Sequence, residues 1–295
     1  MPSALSVSAF DLAATLDSGQ VFHWHRDGTV FTGLIGDVPV RMEQTQPDAI
    51  LVHEGDPNLV SRYLALDHDL GAMHRTLPKS DRHLSRALEF APGIRILRQP
   101  QWECLATFIT SSLKQVAHIR QISLTLRERF GSPVTSTGGM RLWTYPEPEA
   151  LATAGEKALR QCGLGYRAKF LHQTADLIAK GAFDLGSVAS LDDEAARLKL
   201  CELPGVGPKI AQCTLLFAYE RLGVFPIDVW IERALRELYF ARSRRKITPR
   251  LLRDFAQGHF GPFRGYAQQW IFHHARTSGV FTRRRKSATP AESSQ

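Results

Sequence analysis

Over its first hundred residues the chain alternates apolar and polar positions in short runs. Residues 21–35, "VFHWHRDGTVFTGLI", hold two β-rich runs around Asp27-Gly28, which predicts a hairpin. "VPVRMEQ" and "AILVHEG" add two strand candidates, ending near Gly55-Asp56-Pro57, and "PNLVSRYLAL" then shifts to helical spacing. A small antiparallel sheet with attached helices is expected.

From about Trp102 the period changes. "WECLATFITSSL" and "VAHIRQISLTLRERF" repeat apolar residues every three or four positions, and Gly131-Ser132-Pro133 closes the second. "EKALRQCG", "FLHQTADLIAKG", "DDEAARLKLCELPG", "PKIAQCTLLFAYERLG", "DVWIERALRELYF", "TPRLLRDFAQGHFG" and "GYAQQWIFHHARTSG" continue as short helices punctuated by Gly or Pro, with no repeat of constant period. The expected organisation is a mixed α/β domain over residues 1–100, a helical part over 101–282, and a basic tail over 283–295. That tail, "RRRKSATPAESSQ", lacks large apolar residues and is expected to be disordered.

Charge refines this division. The formal net charge is +8, but residues 1–100 hold 9 Lys/Arg against 12 Asp/Glu while residues 101–295 hold 28 against 17. A basic excess confined to the helical part points to a polyanion, nucleic acid before membrane, because no amphipathic anchor or lipidation signal accompanies it. No apolar run reaches membrane-spanning length, and Asp11 and Asp17 interrupt the N-terminus where a signal peptide would need an apolar stretch. The protein is expected to stay inside the cell, in cytoplasm or nucleoid if bacterial and in the nucleus if eukaryotic. Cys104, Cys162, Cys201 and Cys213 form no C-x-x-C pair, and His23/His25 and His273/His274 lack clustered Cys or carboxylate partners. Neither a disulfide framework nor a structural metal is expected.

The stretch "LPGVGPKIA", residues 203–211, breaks the helical pattern. It follows one helix-like segment and precedes another that starts at Pro208, so it reads as a helix, a tight glycine hairpin and a second helix with Pro in its first turn. Gly205 and Gly207 permit positive φ and close backbone approach. Free N–H groups at the second helix start suit a phosphate, giving a DNA-backbone grip that needs no base contact. A generic helix–helix corner is the bland alternative. Lys209 sits in that first turn, where the macrodipole disfavours an ammonium, and is a nucleophile candidate. Nineteen residues on, "FPIDVW" brings Asp228, which alone would be an ordinary helix cap.

Hairpin, lysine and Pro-x-Asp together resemble the helix-hairpin-helix DNA glycosylases, and more closely the 8-oxoguanine DNA glycosylases. "LDSGQVFHWH" is similar to that family's N-terminal motif, "ECLATFITSS" to its central helix and "CGLGYRAKF" to its Gly-Leu-Gly-Tyr-Arg-Ala loop. "LPGVGPKIAQC", "FPIDVW" and "GPFRGYAQQWIF" match its hairpin, its aspartate segment and its last helix. The resemblance spans nearly the whole chain. It implies an α+β fold: a small N-terminal antiparallel sheet domain followed by two mainly α-helical subdomains, with the hairpin at 201–210 and the active-site cleft between them.

The resemblance also implies roles. Lys209 attacks the sugar C1′, expels the damaged base and forms a Schiff base from which β-elimination follows. Asp228 stays ionised and stabilises the cationic sugar. Gln268 meets the Watson–Crick edge of the flipped base, Phe272 stacks on it, and Gly19 offers its carbonyl to the N7–H of 8-oxoguanine. Cys213, one turn after Lys209, shares the pocket. Tyr166 and Arg167 belong at the gap in the DNA and the opposite base, and Gly205 and Gly207 at the backbone. Carbonyls of Cys201, Leu203 and Val206 are candidates to hold a monovalent or divalent cation against a phosphate. No other cofactor is implied, and an iron–sulfur cluster is not expected because no cysteine follows Cys213. The partner implied is duplex DNA containing 8-oxoguanine, bound by a monomer.

Three positions depart from the family. Leu113 stands where asparagine is common at the wedge, His118 where a second arginine faces the opposite base, and Trp230 where a phosphate-binding histidine is frequent. The departures bear on opposite-base selectivity rather than on the chemistry. A core role for Phe272 and Tyr166, an apolar one for Cys213 and a solvated one for Gln268 are the alternatives at single positions. A glycosylase for other oxidised or alkylated bases, and a non-catalytic DNA-binding protein, are the alternatives for the chain.

Overall fold

The computed structural model describes residues 2–111 and 115–279, so Leu113 and the tail 283–295 lie outside the described residues. Five strands form one antiparallel sheet: β1 (Ser3–Ser6), β2 (His25–Asp27), β3 (Val30–Ile35), β4 (Val38–Gln46) and β5 (Ala49–Glu54), in the order β1-β5-β4-β3-β2. Asp27 faces Val30 across a two-residue turn, so the predicted hairpin forms at the predicted place. The edge strand β1 is unannounced by pattern, since "SALS" is too short to show a period. Alternate positions Val40 and Met42, and Ile50 and Val52, are buried against α1 (Leu12–Leu16) and α2 (Pro57–Tyr63) in one apolar cluster.

The helices α3 (Leu70–Thr76) and α4 (Arg82–Phe90) follow, each capped by an aspartate, Asp69 and Asp81, whose carboxylate accepts first-turn N–H groups. Their apolar residues Leu70, Met73, Leu84 and Ala87 belong to a second, larger cluster with the helical part of the chain rather than to the sheet. That part comprises α5 (Gln101–Ser111), α6 (Val116–Phe130), a short ribbon of β6 (Pro133–Thr135) and β7 (Arg141–Trp143), α7 (Pro148–Leu159) and α8 (Arg167–Ala179). It continues with α9 (Asp193–Leu200), α10 (Pro208–Ala218), α11 (Val229–Leu238), α12 (Pro249–His259) and α13 (Arg264–Thr277). From Glu103 to Ser111 every residue of α5 is buried, so this helix runs through the centre and the others pack around it. The architecture is α+β, a five-stranded antiparallel sheet followed by a helical assembly.

Polar side chains join the two clusters. Buried Arg95 donates to the carbonyls of Ala65, His68 and Ser8, and buried Gln20 donates to the Arg95 carbonyl at 2.8 Å. Glu103 on α5 pairs with Arg127 on α6 and lies 3.4 Å from His23. Burial holds the His23 ring well below the usual histidine range and pushes the Glu103 carboxyl up, with Arg127 opposing the latter. The His23–Glu103 contact sets the N-terminal part of the chain against α5, and the Gln20–Arg95 bond anchors the residue that follows Gly19.

Candidate active site

The hairpin between α9 and α10 is built by a left-handed residue. Gly205 has φ +78°, and a Cβ there would stand 2.5 Å from Phe170 Cβ, so glycine is required by conformation and by space alike. Gly207 differs from expectation: it is the extended N-cap of α10, at φ −94° and ψ 178°, and needs no left-handed freedom. What it contributes is the absence of a side chain, because nothing lies within 4 Å of a Cβ placed there and the first turn of α10 stays open. Pro208 occupies that first turn, as its ring geometry favours. Thr174 on α8 donates to the Pro204 carbonyl at 2.9 Å and holds the hairpin down.

Behind the hairpin, α10 delivers Lys209, Cys213 and Phe217 to a cleft of about 840 Å³. Lys209 and Cys213, one helical turn apart, both line it. The Lys209 ammonium lies 5.1 Å from the Phe108 ring centroid on α5, a cation–π contact. Burial pushes the Cys213 thiol up to about 11, with the neighbouring Lys209 opposing the rise, so Cys213 stays a neutral wall of the cleft.

The start of α11 forms the facing wall. Asp228 is its N-cap, and Oδ1 accepts from Trp230 N at 3.0 Å and Ile231 N at 2.8 Å. The ordinary capping role is therefore real, and the carboxylate also lines the cleft with Lys209. Burial raises its pKa, and the two backbone N–H groups together with Lys209 hold the rise in check. Trp230 and Glu232, next on the helix, also reach the cleft.

The last wall is one face of α13. Gln268, Phe272 and Arg276, spaced by four, all line the cleft. Gln268 is 5% exposed, and its Oε1 has no hydrogen-bond partner among the described residues. A buried acceptor left open in a cleft is ready for a ligand donor. Gly19, at φ +89°, closes this end: a Cβ there would stand 3.3 Å from Phe272 Cε1. Among the described residues no donor reaches the Gly19 carbonyl.

The structure thus brings Gly19, Lys209, Cys213, Asp228, Trp230, Gln268 and Phe272 to one cleft. His118, Tyr166 and Arg167 stand outside its lining. They share a neighbourhood of their own, since His118 Nε2 is 3.7 Å from a Cβ placed on Gly163, in the loop leading to Tyr166. Tyr166 is 56% exposed, and the guanidinium of Arg167 lies 4.5 Å from its ring centroid. Phe108 and Gln269, inside the central-helix and last-helix motifs, and Arg276, just beyond the latter, line the cleft without having been given a role by the sequence. The spacing 268, 272, 276 on one helix face is the signal that points to Arg276. Among the described residues no group of three or more His, Cys, Asp or Glu stands together as a metal site, and no helix is long and apolar enough to cross a membrane.

Comparison with known proteins agrees with this geometry. Residues 4–105 match the 8-oxoguanine DNA glycosylase N-terminal domain, and residues 106–257 match the HhH-GPD superfamily of base excision DNA repair proteins. The chain belongs to the 8-oxoguanine DNA glycosylases of the HhH-GPD superfamily. A solved 8-oxoguanine glycosylase/lyase of this family, from Clostridium acetobutylicum in complex with double-stranded DNA containing cytosine opposite 8-oxoguanine, superposes with a TM-score of 0.86. It is 30% identical, over 95% of this chain and 99% of that one. A probable N-glycosylase/DNA lyase from Methanothermobacter thermautotrophicus is 28% identical over 96% of this chain and 98% of its own. The N-glycosylase/DNA lyase OGG1 of Arabidopsis thaliana is 29% identical over 92% and 79%.

Proposed function

We propose that this chain is a base-excision repair enzyme that releases 8-oxoguanine from duplex DNA and then cleaves the strand by β-elimination. The observation that carries the reading is the convergence of Lys209, Asp228, Gln268 and Phe272 on one cleft, with the Gln268 acceptor open. A duplex hides both C1′ and the base edges, so the nucleotide must leave the stack and enter such a cleft.

Within it, Lys209 attacks C1′ as the bond to the base breaks, and the amine that results rearranges with ring opening to a Schiff base. Asp228, ionised, faces the positive charge that develops on the sugar. Gln268 reads the base edge, Phe272 supplies a stacking face, and the open Gly19 carbonyl accepts the N7–H that 8-oxoguanine has and guanine lacks. Cys213 packs beside the amine. Gly205, Gly207 and the open start of α10 grip a phosphate, and Trp230 extends this wall toward the backbone. His118, Tyr166 and Arg167 face the opposite base, and Leu113 wedges into the gap. At the hairpin, the Leu203 carbonyl takes the Val206 N–H at 3.1 Å and keeps a second lone pair. With the carbonyls of Cys201 and Val206 it would hold a cation bridging to phosphate.

We read the chain as a sheet domain over 1–100, a helical domain over 101–282 and a tail over 283–295. Separate apolar clusters support the division, although α3 and α4 pack on the helical side. The enzyme works where the cell keeps its DNA. A panel of duplexes carrying 8-oxoguanine, an alkylated purine or unmodified guanine tests the substrate. Release of 8-oxoguanine alone is expected, and preferential release of the alkylated base would overturn the assignment.

A further inference from the structure

Arg276 lies two turns beyond Gln268 on α13, and its guanidinium reaches back to the N-terminal part of the chain. Nη2 donates to the Asp17 carbonyl, and Cζ stands 5.6 Å from the Phe272 ring centroid. About two helical turns before Arg276, Gln269 Nε2 donates to the Ser18 carbonyl at 3.4 Å. The next residue, Gly19, rests against Phe272, and a Cβ there would also be 3.8 Å from Arg276 Nη1. Three consecutive residues, 17 to 19, are therefore each engaged by α13.

The flanks of the turn are held from their own side: Asp17 N donates to Ala13 O at 2.9 Å, and Ser18 Oγ donates to Thr15 O at 2.7 Å and accepts from Gln20 Nε2 at 2.9 Å. The weak point is the tip: Ser18 N to Thr15 O is long at 3.4 Å, and left-handed Gly19 makes no hydrogen bond among the described residues. From the solvent side Arg26 pairs with the Asp17 carboxylate at 3.0 Å, but both side chains are half exposed, so that pair contributes little. Arg276 is also kept at some expense: its Nε is buried with no hydrogen-bond partner among the described residues. A guanidinium that packs imperfectly for itself while tying one particular turn to one particular ring points to function rather than to stability.

We propose that Arg276 is a positioning residue for base recognition, clasping the Asp17–Ser18–Gly19 turn to Phe272 so that the Gly19 carbonyl and the stacking ring move as one unit. This rests on the reading of Gly19 as the acceptor for the N7–H of 8-oxoguanine. Such a hydrogen bond needs its acceptor held to within about 0.5 Å. Guanine presents a lone pair at N7 instead, so the same fixed carbonyl repels it. Releasing the turn weakens the attraction for the damaged base and the repulsion of the normal one together.

The test compares the wild type with Arg276→Met, Arg276→Lys, Gly19→Ala and the double variant Arg276→Met/Gly19→Ala in single-turnover assays. Three duplexes are used, carrying 8-oxoguanine, guanine or a preformed abasic site opposite cytosine. In Arg276→Met, 8-oxoguanine release is expected to fall tenfold or more relative to strand cleavage at the abasic site, with a narrower ratio of 8-oxoguanine to guanine. Arg276→Lys, which restores a cation and a donor, should recover most of the loss. The double variant should be no slower than the slower single one, because both changes act through the same turn. Unchanged release in Arg276→Met, a parallel fall at the abasic site, or losses that multiply in the double variant would each overturn the role. A wild type that cleaves the abasic duplex without releasing 8-oxoguanine would instead sink the substrate reading, and the role of the turn with it.

Discussion

Replacing Asp228 by asparagine separates the two things this carboxylate does. Oδ1 caps α11 through Trp230 N and Ile231 N, and an asparagine Oδ1 can accept the same two bonds. Asn and Asp are about equally good N-caps, so the helix should survive. What disappears is a negative charge in a buried, low-dielectric wall, opposite the amine that attacks the sugar. An amide offers only a dipole there. Loss of one preorganised electrostatic contact of this kind lowers a rate by roughly 10²–10³, or about 2.7–4 kcal/mol.

Stability should move the other way. Burial raises the Asp228 pKa above its unfolded value, so ionisation is disfavoured in the folded state. The native state therefore loses stability as pH rises from the unfolded pKa through the raised folded one. Asparagine resembles the protonated acid and escapes it. Asp228→Asn should melt higher than the wild type at neutral pH, and the difference should vanish below the ordinary carboxylate range. Wild-type excision should also fail on acidification at a higher pH than an unperturbed aspartate would give. Single-turnover excision and a pH series of thermal melts measure both. Excision within about threefold of wild type would reduce Asp228 to a cap, and a variant less stable at neutral pH would show the charge to be favourable where it sits.

Other perturbations follow from the same geometry. Gly205→Ala forces a Cβ against Phe170 and a left-handed backbone onto alanine, costing about 1–2 kcal/mol for the conformation and about 1–3 kcal/mol for the overlap; denaturant unfolding and duplex affinity should both fall, and unchanged unfolding would mean the hairpin relaxes freely. Gln268→Ala and Phe272→Ala should each slow excision, the latter by about 1–3 kcal/mol of stacking, and rates within twofold of wild type for both would displace the base pocket. His118, shorter than an arginine, should leave weak preference for cytosine opposite the lesion. His118→Arg should sharpen it by about 1–3 kcal/mol, and a wild-type preference above a thousandfold would show that Arg167 suffices.

Much of this was legible in the chain because the strong signals were local. Residues 116–130 read as one helix and are one, and the Asp27-Gly28 turn joins the strands it was expected to join. Strand β1 and the β6–β7 ribbon escaped because three or four residues cannot display a period. Helices α3 and α4 carried a usable signal in Asp69 and Asp81, but their short apolar stretches hid it. Gly207 uses only one of the two freedoms a glycine offers: a glycine at a helix start can be wanted for its missing side chain, and sequence does not separate that from a need for positive φ. The spacing 268, 272, 276 puts Arg276 on the cleft face of its helix, but its role depends on the Gly19 turn, more than 250 residues away along the chain. Only tertiary packing brings the two together.

The most direct measurement is borohydride trapping on a duplex with 8-oxoguanine opposite cytosine. If Lys209 is the nucleophile, the wild type forms a covalent protein–DNA adduct, and Lys209→Gln forms none while still binding the duplex. An undiminished adduct in Lys209→Gln would place the attacking amine elsewhere and contradict the account at its centre.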